Sequence, residues 1–375
     1  MRPKKKNTQL RTGTVYAFYF FLLYLLIFLV FYLNYRDIGL SALLALFLII
    51  AAVIAYILSV FVHETGHLLF GLLTGYRPVS FRIFSFVIKK KNGRWRIGIE
   101  PAPVPGIAGQ CLMAPPRKVN GQFPYRLCNA GGVLLGFIVS AAALILLYTL
   151  SPSYIPRLLL FYIGWLGLFF SLVNAVPTSG KRLSNDGTNG RAAKRSIAAR
   201  NALWNQLEYM ALLAEGTRTR DMPEELFFLP EERDLDSALT VCEGMMYIDR
   251  LEDTGDYAGA RDAANHLLKA RVLLPLYRAC LLSELLFLEL VLDARPEEID
   301  RLHREVEASL PLLKHHASTY RTLYAFALLS SEDESAAAEA LARFESLAAR
   351  NPAGTLPDRD MIAHVQTLYQ NRKEG

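Results

Sequence analysis

Two histidines and a glutamate in the segment His63-Glu64-Thr65-Gly66-His67 have the types and spacing for hydrolytic chemistry. On a helix, positions i and i+4 share a face, so His63 and His67 can both ligate one Zn²⁺ while Glu64 stands beside a water molecule. The same five-residue pattern also arises by accident on soluble helices. Here it closes an apolar run, residues 38–62, that contains no charged side chain. Ionisable groups at bilayer depth cost about 2.5–3.5 kcal/mol or more each, and such residues persist there mainly for function. A catalytic zinc takes three protein ligands and keeps its fourth position open. Asp186 is the candidate third ligand, since no other acidic residue lies between Glu100 and Asp186. Asn185-Asp186-Gly187 is also a good turn sequence, which gives the aspartate an ordinary structural reading as well.

The elements that must position these residues are membrane helices. Residues 15–33, 38–62, 131–150 and 158–176 are each apolar enough, and about long enough, to span a hydrocarbon core that needs roughly 20 residues. The first run exceeds a signal-peptide core and no small-residue cleavage site follows it, so it reads as an uncleaved helix. Charge divides the chain of 375 residues: 23 Lys and Arg against 4 Asp and Glu in residues 1–200 (+19), but 18 against 31 in residues 201–375 (−13). Of the 23 basic residues, 21 fall in the tail at 1–14, in 77–126 and in 181–200, which places both termini in the cytoplasm by the positive-inside rule. Topology and contact with an anionic lipid bilayer account for these residues, and no nucleic-acid partner is expected. The expected fold is therefore a mainly α polytopic membrane protein. A basic tail (1–14) precedes a membrane-embedded domain (15–200), and a soluble all-α domain (201–375) follows.

Between the second and third spans the pattern changes. Residues 81–88 and 94–99 alternate around Lys91-Asn92-Gly93, a β-hairpin signal. This membrane-boundary hairpin reads equally as a structural flap or a substrate-binding element, with Phe84 and Phe86 as candidate contacts. Residues 101–116, broken by prolines, read as an extended loop near the site. Residues 237–349 read as three helix pairs whose second helices start about every 40 residues, near the periods of helix-pair repeats. Fragments such as Gly255-Asp256-Tyr257-Ala258-Gly259-Ala260 look tetratricopeptide-like, and a generic bundle fits as well. His266, His303, His315 and His316 lack a ligand pattern and are expected on the solvated surface. The four cysteines form no C-x-x-C pair, so neither a disulfide framework nor a cysteine zinc site is indicated.

The chain resembles the site-2 protease family of intramembrane zinc metalloproteases over roughly residues 38–190. His63, Glu64 and His67 match the family's H-E-x-x-H, while Asn174, Pro177, Asp186 and Gly187 match its N-x-x-P…D-G segment two spans later. Asn129-Ala130-Gly131-Gly132 stands where many members carry an A-G-P motif, with Gly132 in place of the proline. The resemblance implies a zinc cofactor held by His63, His67 and Asp186, with Glu64 as proton shuttle. It also implies a hairpin that receives substrate, for which Asn174 is a further candidate contact. The gap from Asn174 to Asp186 is longer than in the commonest members, and no PDZ-like segment interrupts the chain.

These observations give the expectation of a metalloendopeptidase in a bacterial plasma membrane, cleaving transmembrane or membrane-anchored peptides by a zinc-activated water. Residues 201–375 would serve regulation or docking of a protein partner. The alternative is a catalytically idle membrane scaffold whose helical C-terminal domain binds a cytoplasmic partner.

Overall fold

The computed structural model describes residues 42–91, 94–100, 108–150, 152–178, 184–350 and 353–374. The expected first span at 15–33 and the Asn92-Gly93 hairpin tip lie outside the described residues. Helix α1 runs without a break over Ala42–Leu73. It does not stop at residue 62, because Leu68, Leu69, Phe70, Leu72 and Leu73 carry the apolar run beyond His67. It ends where Gly75 takes a left-handed conformation (φ +85°) and the Tyr76 amide returns to the Gly71 carbonyl at 3.0 Å. Helices α2 (Tyr125–Thr149) and α3 (Tyr154–Ala175) follow the sheet described below. Phe47–Leu73 of α1, all of α2 and Ile155–Ala175 of α3 are long and apolar enough to cross a membrane. His63 therefore lies within such a stretch rather than at its end.

The described residues gather into two compact units. One comprises residues up to Ser59 with Val139–Phe169. Its core joins Leu48, Ala51 and Ala55 of α1 to Leu147 of α2 and to Leu158, Phe161 and Tyr162 of α3. Small residues let these backbones approach: a methyl group at Gly164 would come within 2.5 Å of the Leu144 side chain.

The other unit comprises Val60–Ile138 and Phe170 onward. It holds a four-stranded antiparallel sheet of β1 (Arg77–Ile83), β2 (Phe86–Lys91), β3 (Arg94–Ile99) and β4 (Gly109–Ala114), in the order β3-β2-β1-β4. The expected hairpin is present as β2–β3, with Lys91 opposite Arg94. Two features differ from the sequence reading. The run at 81–88 is split by a turn at Phe84, which sits at φ +51°. Gly109–Ala114, expected as loop, is a strand because its main chain pairs with β1 from Ile83↔Gly109 to Arg77↔Ala114.

Helix α4 (Asp186–Arg195) leads into α5 (Ile197–Glu215), so the expected boundary at residue 200 falls inside α5. Leu207 and Ala211 of α5 cover Val79, Leu112 and Ala114 of the sheet. The three expected helix pairs follow as α6 (Ala238–Thr254) with α7 (Tyr257–Leu267), α8 (Pro275–Val291) with α9 (Pro296–Leu313), and α10 (Ala317–Leu329) with α11 (Glu334–Ala348). An additional helix, α12 (Leu356–Glu374), extends the array. Leu286, Phe287, Val306 and Phe344 are fully buried at its centre. Three of the four histidines expected on the solvated surface are instead packed. His303 stacks on Phe326 at 3.7 Å, His266 Nε2 meets the Pro230 carbonyl at 2.8 Å, and His316 is half-buried with its Nε2 atom buried and lacking a hydrogen bond.

Candidate metal centre

One turn of α1 sets His63, Glu64 and His67 on adjoining positions of one helix face, with His63 and Glu64 only 6% and 7% exposed. Asp186 reaches them as the first residue of α4. Its Oδ2 lies 3.1 Å from His63 Nε2 and 3.2 Å from His67 Nε2, and the two Nε2 atoms are 3.2 Å apart. Three protein donors around a tetrahedral ion at about 2.0–2.1 Å stand roughly 3.3 Å from one another, so the triangle has the dimensions for such an ion. It is also the one group of three or more metal-ligating side chains found among the described residues. Asp186 Oδ2 is buried with no hydrogen-bond donor of its own, as is His63 Nδ1. A buried carboxylate oxygen in that state calls for a cation.

The surroundings are shaped for this cluster. His67 Nδ1 meets the Cys128 carbonyl at 2.9 Å, which places the ring proton on Nδ1 and leaves Nε2 free as a donor atom. His63 packs edge-on against Phe170, with ring centroids 5.4 Å apart. A methyl group at Gly132 would stand 2.7 Å from both imidazoles, and one at Gly66 would stand 2.3 Å from the Gly131 carbonyl. Gly66 therefore serves close helix packing. Gly187 abuts the end of α3 so closely that a methyl group there would be 2.1 Å from the Ala175 carbonyl, which accounts physically for Asp186 being followed by glycine.

Glu64 stands off the triangle, with its carboxylate against Gly109 of β4. The candidate substrate contacts lie elsewhere. Phe84 sits in the β1–β2 turn and Phe86 opens β2, 36% and 46% exposed, and the Phe84 amide donates to the Ala108 carbonyl at 2.7 Å. Asn174 turns back on its own helix and donates to the Phe170 carbonyl at 2.9 Å. Sequence reasoning passed over Asn129, whose side chain donates to the Asp186 carbonyl, and Asn185, which caps α4. The pattern Asn185-x-x-Thr188 before a helix was an available capping signal. Nothing local marks Asn129, because its partner is distant in sequence.

Compared with known proteins, the chain matches no family model, no curated protein and no solved structure.

Proposed function

We propose that this chain is an intramembrane zinc metalloendopeptidase, similar in its site to the site-2 proteases, that hydrolyses peptide bonds of membrane-spanning or membrane-anchored substrates. The observation that carries this reading is the meeting of His63 Nε2, His67 Nε2 and Asp186 Oδ2 within 3.2 Å, with Glu64 beside them. An idle scaffold would have no use for a buried ligating oxygen left without a donor, which favours the enzyme over that alternative. When bound there, zinc supplies Lewis-acid polarisation of a carbonyl and lowers the pKa of water towards about 7.

The protein's own residues do the rest. His63, His67 and Asp186 would hold the ion, and the Cys128 carbonyl keeps His67 in the tautomer whose Nε2 can ligate. Glu64 accepts a proton from the attacking water and later delivers it to the leaving amine. Gly109 leaves room for its carboxylate. A helical substrate must unwind before its peptide bond can be attacked. Strand β4 lies at one end of the sheet and against Glu64, so main-chain pairing along β4 presents an extended segment to the site. The β2–β3 hairpin, at the other end of the sheet order, is the less direct platform. The spans and the partition of basic residues support a multi-pass protein of a bacterial plasma membrane with both termini cytoplasmic, and residues 201–375 as a docking element for a protein partner.

The test is cleavage of a membrane-anchored reporter peptide by the purified full chain, with zinc content measured on the same sample. Wild type should cleave and carry zinc; Glu64→Gln should carry zinc and not cleave. Equal cleavage by both would remove Glu64 from the mechanism.

A further inference from the structure

Asp186 is carried on a ten-residue helix whose first turn is gripped from two sides by asparagine side chains. From α2, Asn129 Nδ2 donates to the Asp186 backbone carbonyl at 2.8 Å. Asn129 is held close: a methyl group on Gly190 would stand 2.9 Å from that Nδ2, so glycine at 190 keeps the approach open. From the other side, Asn185 bridges two helices. Its Nδ2 donates to the Val173 and Val176 carbonyls at 2.7 and 2.8 Å, carbonyls that the end of α3 leaves without helical partners. Its Oδ1 accepts from the Thr188 amide at 2.9 Å and the Thr188 hydroxyl at 2.6 Å, capping α4. The adjacent Cys128 carbonyl orients His67. Two consecutive residues of α2 thus set the direction of one imidazole and the height of the carboxylate opposite it.

We infer that Asn129 and Asn185 are positioning residues that hold Asp186 in register with His63 and His67, so that the third ligand depends on a hydrogen bond donated from α2 and on two donated by Asn185 to the end of α3, and not on α4 alone. The inference rests on the metal-site reading above. Groups that orient metal ligands typically cost 10–100-fold in metal affinity when removed.

Asn185→Asp separates the two roles of Asn185. Aspartate caps a helix as well as asparagine does, so the Thr188 bonds persist, while both donors to α3 are lost. Its added negative charge would by itself favour a cation, so weaker binding reports the lost tether. Asn129→Asp removes the donor to Asp186 from the other side. The experiment measures zinc affinity of the purified full chain by chelator competition, together with the visible spectrum of the Co²⁺-substituted protein, which reads ligand geometry without reference to catalysis. Both variants should bind zinc 10–100-fold more weakly than wild type and shift the Co²⁺ spectrum, with unchanged helical circular dichroism. If one variant fails to fold, the other carries the same expectation. Wild-type affinity and spectrum in a folded variant, where His63→Ala has lost zinc, would overturn the latch and leave the metal site standing. A wild-type protein whose zinc content is indifferent to His63→Ala would instead overturn the metal-site reading itself.

Discussion

Gly132 of α2 lies so close to His63 that a methyl group in its place would be 2.7 Å from ring atoms Cε1 and Nδ1. No rotation of a methyl relieves that contact, so the imidazole or the helix must move. Gly132→Ala should therefore strip zinc while leaving the helical content intact. Metal analysis after gel filtration checks it, and full zinc occupancy in this variant would show that the ring has slack the structure does not suggest.

A second expectation concerns pH. Asp249 of α6 reaches solvent, but the protein crowded around its carboxyl strips away enough water to push it up to about 7, with Glu284 and then Asp358 repelling it further; the Tyr209 hydroxyl, which donates at 3.0 Å, and Arg321 oppose the shift. The unfolded value of an aspartate is about 3.9, so between about pH 4 and 7 the folded state holds a proton that the unfolded state has released. This group's contribution to stability therefore falls as pH rises through that window and is flat above it. Asp249→Asn keeps an acceptor for Tyr209, so it should melt higher than wild type at pH 7.5 and converge with it near pH 4. Parallel melting curves across the range would refute the assignment.

Arg321 is 1% exposed and is ringed by Glu284, Asp358 at 3.1 Å and Glu252 at 3.8 Å. Removing one partner from a buried charge group costs about 3–5 kcal/mol, because the others lose their counter-charge. Arg321→Met should lower the denaturant midpoint of the helical array in the full chain accordingly. A change under about 1 kcal/mol would mean that the carboxylates are neutral without it.

The candidate metal site was legible in part because its strongest signal is local. His63 and His67 are four residues apart on one helix, and Asp186 stood out because a long apolar stretch held no other acid. Asn129 was not legible, since its bond to Asp186 spans 57 residues. Strand β4 was hidden for a related reason. Gly109–Ala114 shows no apolar–polar alternation and follows a proline-rich stretch, and it becomes a strand through pairing with β1. The packed His303 was missed because a polar helix segment says nothing about the Phe326 that stacks on it from the next helix.

Topology gives a fourth expectation. The partition of basic residues places residues 77–126 and both termini on one side of the membrane, and the α2–α3 turn on the other. Single cysteines at Lys90 and Ser153, both exposed, should label from opposite faces in a cysteine-free background. Labelling of both from the same face would reject the orientation.

The most direct measurement is the zinc stoichiometry of the full chain, purified in detergent, for wild type, Glu64→Gln and Asp186→Ala. Near one zinc per chain is expected in wild type and in Glu64→Gln, because Glu64 stands off the triangle formed by His63, His67 and Asp186. Asp186→Ala removes one of three ligands and should retain little of it. Full zinc in Asp186→Ala, or none in the wild type, would contradict the account at its centre.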